Sequence, residues 1–114
     1  MIKKIRLKEF DWIFIIYTNW WEYYKKVSKL VDQHLQFTPW KTAIDWQASK
    51  CYIFIDPRSK SLLDTVVHET YHAVRGVFEN KEVSLDEELT AYYLGYYSQY
   101  IYNLIVKEKW HQKN

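Results

Sequence analysis

One cysteine, two prolines and two glycines are all that this 114-residue chain carries of the residues that staple, kink or loosen a backbone. A lone Cys51 excludes an internal disulfide and any metal site built on paired thiolates, and it suits a reducing compartment. The scarcity of Pro and Gly excludes collagen-like repeats and long flexible linkers. A hydrophobic content of 48% argues against disorder. Net charge is also sparse: +2 is too little to imply a nucleic-acid or membrane partner on electrostatic grounds. Long apolar runs are missing too. Ile13-Phe14-Ile15-Ile16 falls far short of the roughly 20 residues needed to span a bilayer. Lys3, Lys4, Arg6 and Lys8 precede that run, but Glu9 and Asp11 interrupt the approach and Trp20-Trp21-Glu22 follows it, unlike a signal peptide. The expectation is one domain over 1–114, soluble and cytoplasmic.

What the chain has in abundance is aromatic side chains: 6 Trp, 11 Tyr and 5 Phe. A small domain needs large side chains to bury enough area, so packing is their first role. Residues 10–18 (FDWIFIIYT) read as a strand. Over 20–36, Trp20, Tyr23, Tyr24, Val27, Leu30, Val31 and Leu35 recur at helical spacing, and Thr38-Pro39 ends the helix. Alternating runs 42–47 and 51–56 predict a hairpin closed by Asp56-Pro57. From Lys60, the stripe Leu63, Val66, Val67, Thr70, Val74 and Val77 predicts a core-facing helix to about Gly76, with that glycine as cap and Arg75 near the negative end of the dipole. Ser84-Leu85-Asp86-Glu87 reads as a capping box opening a last helix that runs to about Lys107. The predicted order is β-α-β-β-α-α, an α+β fold with a small antiparallel sheet.

The informative stretch lies on the predicted second helix. His68-Glu69-Thr70-Tyr71-His72 sets two imidazoles at i and i+4, so one helix turn presents both to the same point. Neutral imidazole is a good zinc ligand. Glu69, beside the first ligand, is placed to accept a proton from a water that the metal activates. With four histidines in the chain, a random ordering gives the pattern in about one chain in 100. The amphipathic helix beneath it and the acids Asp86, Glu87 and Glu88 on the next helix add weight. A catalytic zinc site needs a third protein ligand and an open position. Glu87 is occupied in the capping box, whereas Glu88 shares a face with Ala91, Tyr92 and Gly95, whose small members allow close approach. Glu88 is therefore the first choice, Glu87 the second and Asp86 the third.

His68-Glu69-x-x-His72 followed by Glu88-x-x-Ala91 resembles the gluzincin branch of zinc metallopeptidases. The length is similar to that of minigluzincins and small zincin-like proteins encoded by phages. The resemblance implies a small sheet, an active-site helix and a following glutamate helix. It also implies one zinc ion per chain held by His68, His72 and Glu88, and Glu69 as general base and acid in peptide hydrolysis. Many gluzincins carry a supporting Asp four positions after the glutamate; this chain has Tyr92 there.

For the donor to the negative oxygen that develops in such a reaction, Tyr71, Tyr92, Tyr93 and His34 are candidates by residue type. Asp64, one turn before His68, is placed to orient that imidazole. Tyr93, Tyr96, Tyr97 and Tyr100 form a stripe whose first reading is core packing. Two functions follow: a small zinc peptidase acting on a peptide or protein substrate, or a zincin scaffold, weakly active or inactive, that binds a protein partner such as a host factor.

Overall fold

The computed structural model of the chain describes residues 1–33, 35–81 and 87–113. The elements are β1 (Ile2–Leu7), a 3-10 turn (Lys8–Phe10), β2 (Trp12–Tyr17), α1 (Trp20–Val31), β3 (Trp40–Asp45), β4 (Lys50–Ile55), α2 (Leu62–Asn80) and α3 (Glu87–Lys113). The fold is α+β. Its single sheet has the order β1-β2-β4-β3.

The sheet departs from expectation in two ways. First, a strand precedes the predicted one: Ile5 and Leu7 point into the core while Lys3, Lys4 and Arg6 stay exposed. The basic residues hide the alternation and also suit an edge strand, where charge discourages further pairing. Asp11, left-handed at φ 51°, reverses the chain so that Ile5 pairs with Phe14 and Leu7 with Trp12. Second, the sheet is mixed rather than antiparallel. β1–β2 and β3–β4 are antiparallel, but β2 runs parallel to β4, because α1 and β3 intervene and carry the chain across the sheet.

Central strands covered on both faces read as continuous apolar runs, and β2 and β4 do so. On one face, Phe14, Ile16, Cys51, Ile53 and Ile55 meet Val66, Ala73, Val77 and Phe78 of α2 and Tyr97, Ile101 and Ile105 of α3. On the other, Ile15, Tyr17, Tyr52 and Phe54 meet Tyr23 and Val27 of α1. Among the described residues no helix is long and apolar enough to cross a membrane.

The helix limits also shift. α1 stops at Val31, where Asp32 turns left-handed and its N–H bonds the Ser28 carbonyl; Leu30 and Val31 stay exposed. Gly76 is not a cap. It lies buried inside α2, where a β-carbon would run into Ile44 of β3. Its absence lets helix and edge strand approach closely. Arg75 is accordingly mid-helix, paired with Glu79 at 3.1 Å. The buried face of α2 is rotated from the predicted one, so that Leu63 and Val67 are exposed while Leu62, Thr65, Glu69 and Ala73 go inside. α3 runs beyond Lys107, and Glu108 pairs with the Met1 ammonium at 3.0 Å. Of the tyrosine stripe, Tyr97 is buried, but Tyr96 and Tyr100 are exposed. The capping residue Ser84 and the acid Asp86 lie outside the described residues, as does His34.

Candidate metal centre

The first half of α2 carries the candidate centre. Its helical repeat sets His68 and His72 one above the other, and their Nε2 atoms stand 3.1 Å apart. Both rings are exposed, whereas Glu69 between them is only 3% exposed. One carboxylate oxygen of Glu69, Oε2, lies 3.7 Å from His68 Nε2. The other, Oε1, accepts a hydrogen bond from Thr42 Oγ1 at 2.7 Å. Ligand atoms of His68, Glu69 and His72 gather within 4.8 Å of one another.

This donor set suits a zinc ion. Two imidazole nitrogens in tetrahedral positions, each at 2.0–2.1 Å from zinc, stand about 3.3 Å apart, and the observed separation is close to that. A buried carboxylate needs hydrogen-bond partners to offset its lost hydration. Thr42 supplies one and fixes the orientation of the Glu69 group.

Thr42 is the residue that helix-centred reading of the sequence passed over. The signal was present: Trp40, Thr42 and Ile44 alternate along one face of β3. That face lies against α2, so the hydroxyl meets Glu69 and Ile44 meets Gly76. β3 is also the last strand of the sheet, so its outer backbone groups are not used in the ladder.

Beside His68 opens a cleft of about 580 Å³ lined by Pro39, Trp40, Asp56, Arg58, Asp64 and Thr65 among others. Arg58 bonds both carboxylate oxygens of Asp56 at 3.0 Å, and these bonds hold Asp56 below the usual carboxylate range. Asp64 is exposed on the cleft wall, and among the described residues it makes no hydrogen bond to His68. A second groove, between α2 and the start of α3, is lined by Tyr71, Arg75, Glu87, Thr90, Ala91 and Leu94, and by neither histidine. Hydrogen bonds to Tyr71 and then Glu79 raise the Arg75 guanidinium above its ordinary value.

The third-ligand candidates are both exposed in the first turn of α3. Glu87 lines the groove next to Tyr71 and Arg75, but neither Glu87 nor Glu88 belongs to the gathered His68-Glu69-His72 group. Of the donor candidates, Tyr93 packs its ring against Phe10 and Phe78 at centroid distances of 5.4 and 5.8 Å. Tyr92 is 66% exposed.

No known protein family, curated protein or solved structure matches this chain. The functional reading therefore rests on the chemistry of these residues.

Proposed function

We propose that this chain is a zinc-dependent peptidase of the zincin kind, with His68 and His72 as metal ligands and Glu69 as general base. The observation that carries the reading is the pair of Nε2 atoms at 3.1 Å beside a buried carboxylate. An incidental surface pair of histidines would not need an acid sequestered under it, at the cost of burial. A carboxylate from the start of α3 completes the ligand set. The motif resemblance assigns Glu88 to that role, and Glu87 is the neighbour that borders the groove.

When bound, zinc supplies Lewis-acid activation of water and of the substrate carbonyl. Glu69 accepts the proton that water gives up on attack and returns it to the leaving amine. Thr42 keeps the Glu69 carboxylate turned for that transfer. The outer edge of β3, unpaired among the described residues, offers backbone donors and acceptors to an extended peptide. The cleft between Trp40 and His68 is the seat for one of that peptide's side chains.

A second reading is that the chain holds zinc but acts by binding a protein partner. The exposed row Tyr92, Tyr96 and Tyr100 on α3 favours it.

Elemental analysis of the purified protein decides the metal step. About one zinc per chain is expected, with loss on His68→Ala or His72→Ala. Glu88→Ala and Glu87→Ala, measured separately, assign the third ligand. A metal-replete protein without zinc would end both readings. Glu69→Gln then separates them: peptide cleavage disappears while metal and fold persist if the chain is an enzyme, and biological activity survives if it is a binder.

A further inference from the structure

We propose that this chain pairs with a second copy of itself along β3, edge to edge and antiparallel. The proposal goes beyond the peptidase reading and does not depend on it. The sheet ends on β1 at one side and on β3 at the other. β1 presents Lys3, Lys4 and Arg6, whose like charges keep that edge single. β3 (Trp40–Asp45) instead carries one lysine, one aspartate and no proline. Among the described residues no strand pairs with its outer side. An edge without such protection is a template for another strand.

The inner ladder decides which backbone groups point outward. Pro39 and Asp56 continue the β3–β4 register, and the Asp56 N–H donates to the Pro39 carbonyl at 2.8 Å. Bonded pairs alternate along an antiparallel ladder. Lys41, Ala43 and Asp45 therefore direct their backbone groups to β4, and Trp40, Thr42 and Ile44 turn theirs outward. A copy bonds those outward groups, so its even-numbered residues must meet even-numbered ones. The register centred on Ala43 sets Ala43 against its own equivalent. Twice by symmetry, it also sets Thr42 against Ile44 and Lys41 against Asp45.

Charge and size select that register. Lys41 and Asp45 meet at non-hydrogen-bonded positions, where opposed side chains come closest. Ala43, the smallest side chain of the strand, takes the symmetry axis, where the approach is equally close. Among the described residues Lys41 has no ion-pair partner in its own chain. The Ala48 N–H donates to Asp45 Oδ1 at 3.1 Å, which orients the carboxylate and leaves Oδ2 for the lysine. Trp40 comes level with Trp46 of the copy, and these residues are 42% and 45% exposed in the single chain. A slip of two residues either way would part both pairs of charges. The copy lies along the edge that the peptidase reading offers to substrate, so pairing and peptide binding exclude each other.

Sedimentation velocity tests the proposal as the purified chain is concentrated from about 1 μM to about 1 mM. A dimer should appear within that range and weaken with added salt. Lys41→Asp sets two acids against each other and should weaken pairing about 10-fold or more. Asp45→Lys should do the same with two lysines. An equimolar mixture of the two variants should pair again, because each acid of one then meets a lysine of the other. Ala43→Cys, which keeps both charges, should give a disulfide-linked dimer under mild oxidation, since the two β-carbons face each other across the axis. A wild type that stays monomeric to about 1 mM leaves the edge to a peptide and overturns the proposal. So does a dimer whose strength Lys41→Asp leaves unchanged. Neither zinc nor cleavage enters these readouts, so failure here leaves the peptidase reading standing, and a chain that pairs but cleaves no peptide overturns that reading alone.

Discussion

Two helices lie on opposite faces of one sheet and do so in different ways. α1 covers its face with Tyr23 and Val27, packed on Tyr17 and Phe54 with ring centroids 5.6 and 5.7 Å apart. α2 covers the other face with Leu62, Val66, Val74 and Val77, but it also buries Thr65, Glu69, Thr70 and Gly76. A helix that only needed to shield a sheet would resemble α1. Burying a carboxylate opposes folding unless its oxygens are bonded, and a glycine inside a helix costs roughly 0.5–1 kcal/mol relative to alanine. α2 carries both features where it meets β3, under the paired imidazoles. The α2–β3 seam thus holds a buried carboxylate and a close approach that covering a sheet does not by itself require.

That contrast can be broken by substitution. The largest effect belongs to the α1 face: Tyr23→Ala should destabilise the fold by about 3–5 kcal/mol, as for other large aromatic truncations. Urea unfolding measures this, and zinc bound per folded chain should not change; a parallel loss of zinc would mean the faces are not independent. Next comes the seam. Thr42→Val leaves Glu69 Oε1 without its hydroxyl donor, and a lost bond to a charged group should cost about 1–3 kcal/mol. On the proposed peptidase reading, peptide cleavage should fall with it while zinc is retained; unchanged stability would show that the seam does not depend on this bond.

Two smaller effects are expected on the α2 face and on α3. Gly95 of α3 has open space around its missing β-carbon, so Gly95→Ala should raise stability by about 0.5–1 kcal/mol. Gly76→Ala should fall short of that gain in the same melts, because Ile44 must turn aside. Cys51, under α2, accepts from Trp12 Nε1 at 3.3 Å, and burial pushes its thiol up to about 12. Because the folded value is raised, the neutral thiol's contribution is fully present below the ordinary thiol range near 8.5 and is lost as pH rises through 12. At pH 8 native Cys51 should therefore resist a thiol reagent that labels it at once in urea. Rapid labelling of the native chain would contradict its burial.

Much of the architecture was legible because it is written in local periods. The alternation over 42–47 and 51–56 gave the hairpin, helical spacing gave the first two helices, and a capping-box pattern gave the third. β1 was not legible, because three basic side chains between Ile2 and Leu7 mask an alternation that only pairing with β2 brings out. The exposure of Leu63 and Val67 was equally hidden, since an apolar stripe fixes a helix face only to within one residue's rotation. At the candidate centre, the i, i+4 histidines and the acid between them could be read directly. Thr42 could be placed on one face of its strand by alternation, but its contact with Glu69 spans 27 positions, and only tertiary packing sets that face against α2.

By itself, the sequence determined the composition of the centre: which imidazoles share a helix turn, which carboxylate lies between them, and that the fold is α+β. These follow from helix geometry and from apolar periodicity, both local properties of the chain. The tertiary structure decided what surrounds them. It set β2 parallel to β4, put β3 at the sheet's edge against α2, and used Gly76 to bring the two together. It also sequestered Glu69 under Thr42 while leaving His68 and His72 in the open. Those outcomes depend on the long-range packing of helices on a twisted sheet, which is settled only when the whole core closes.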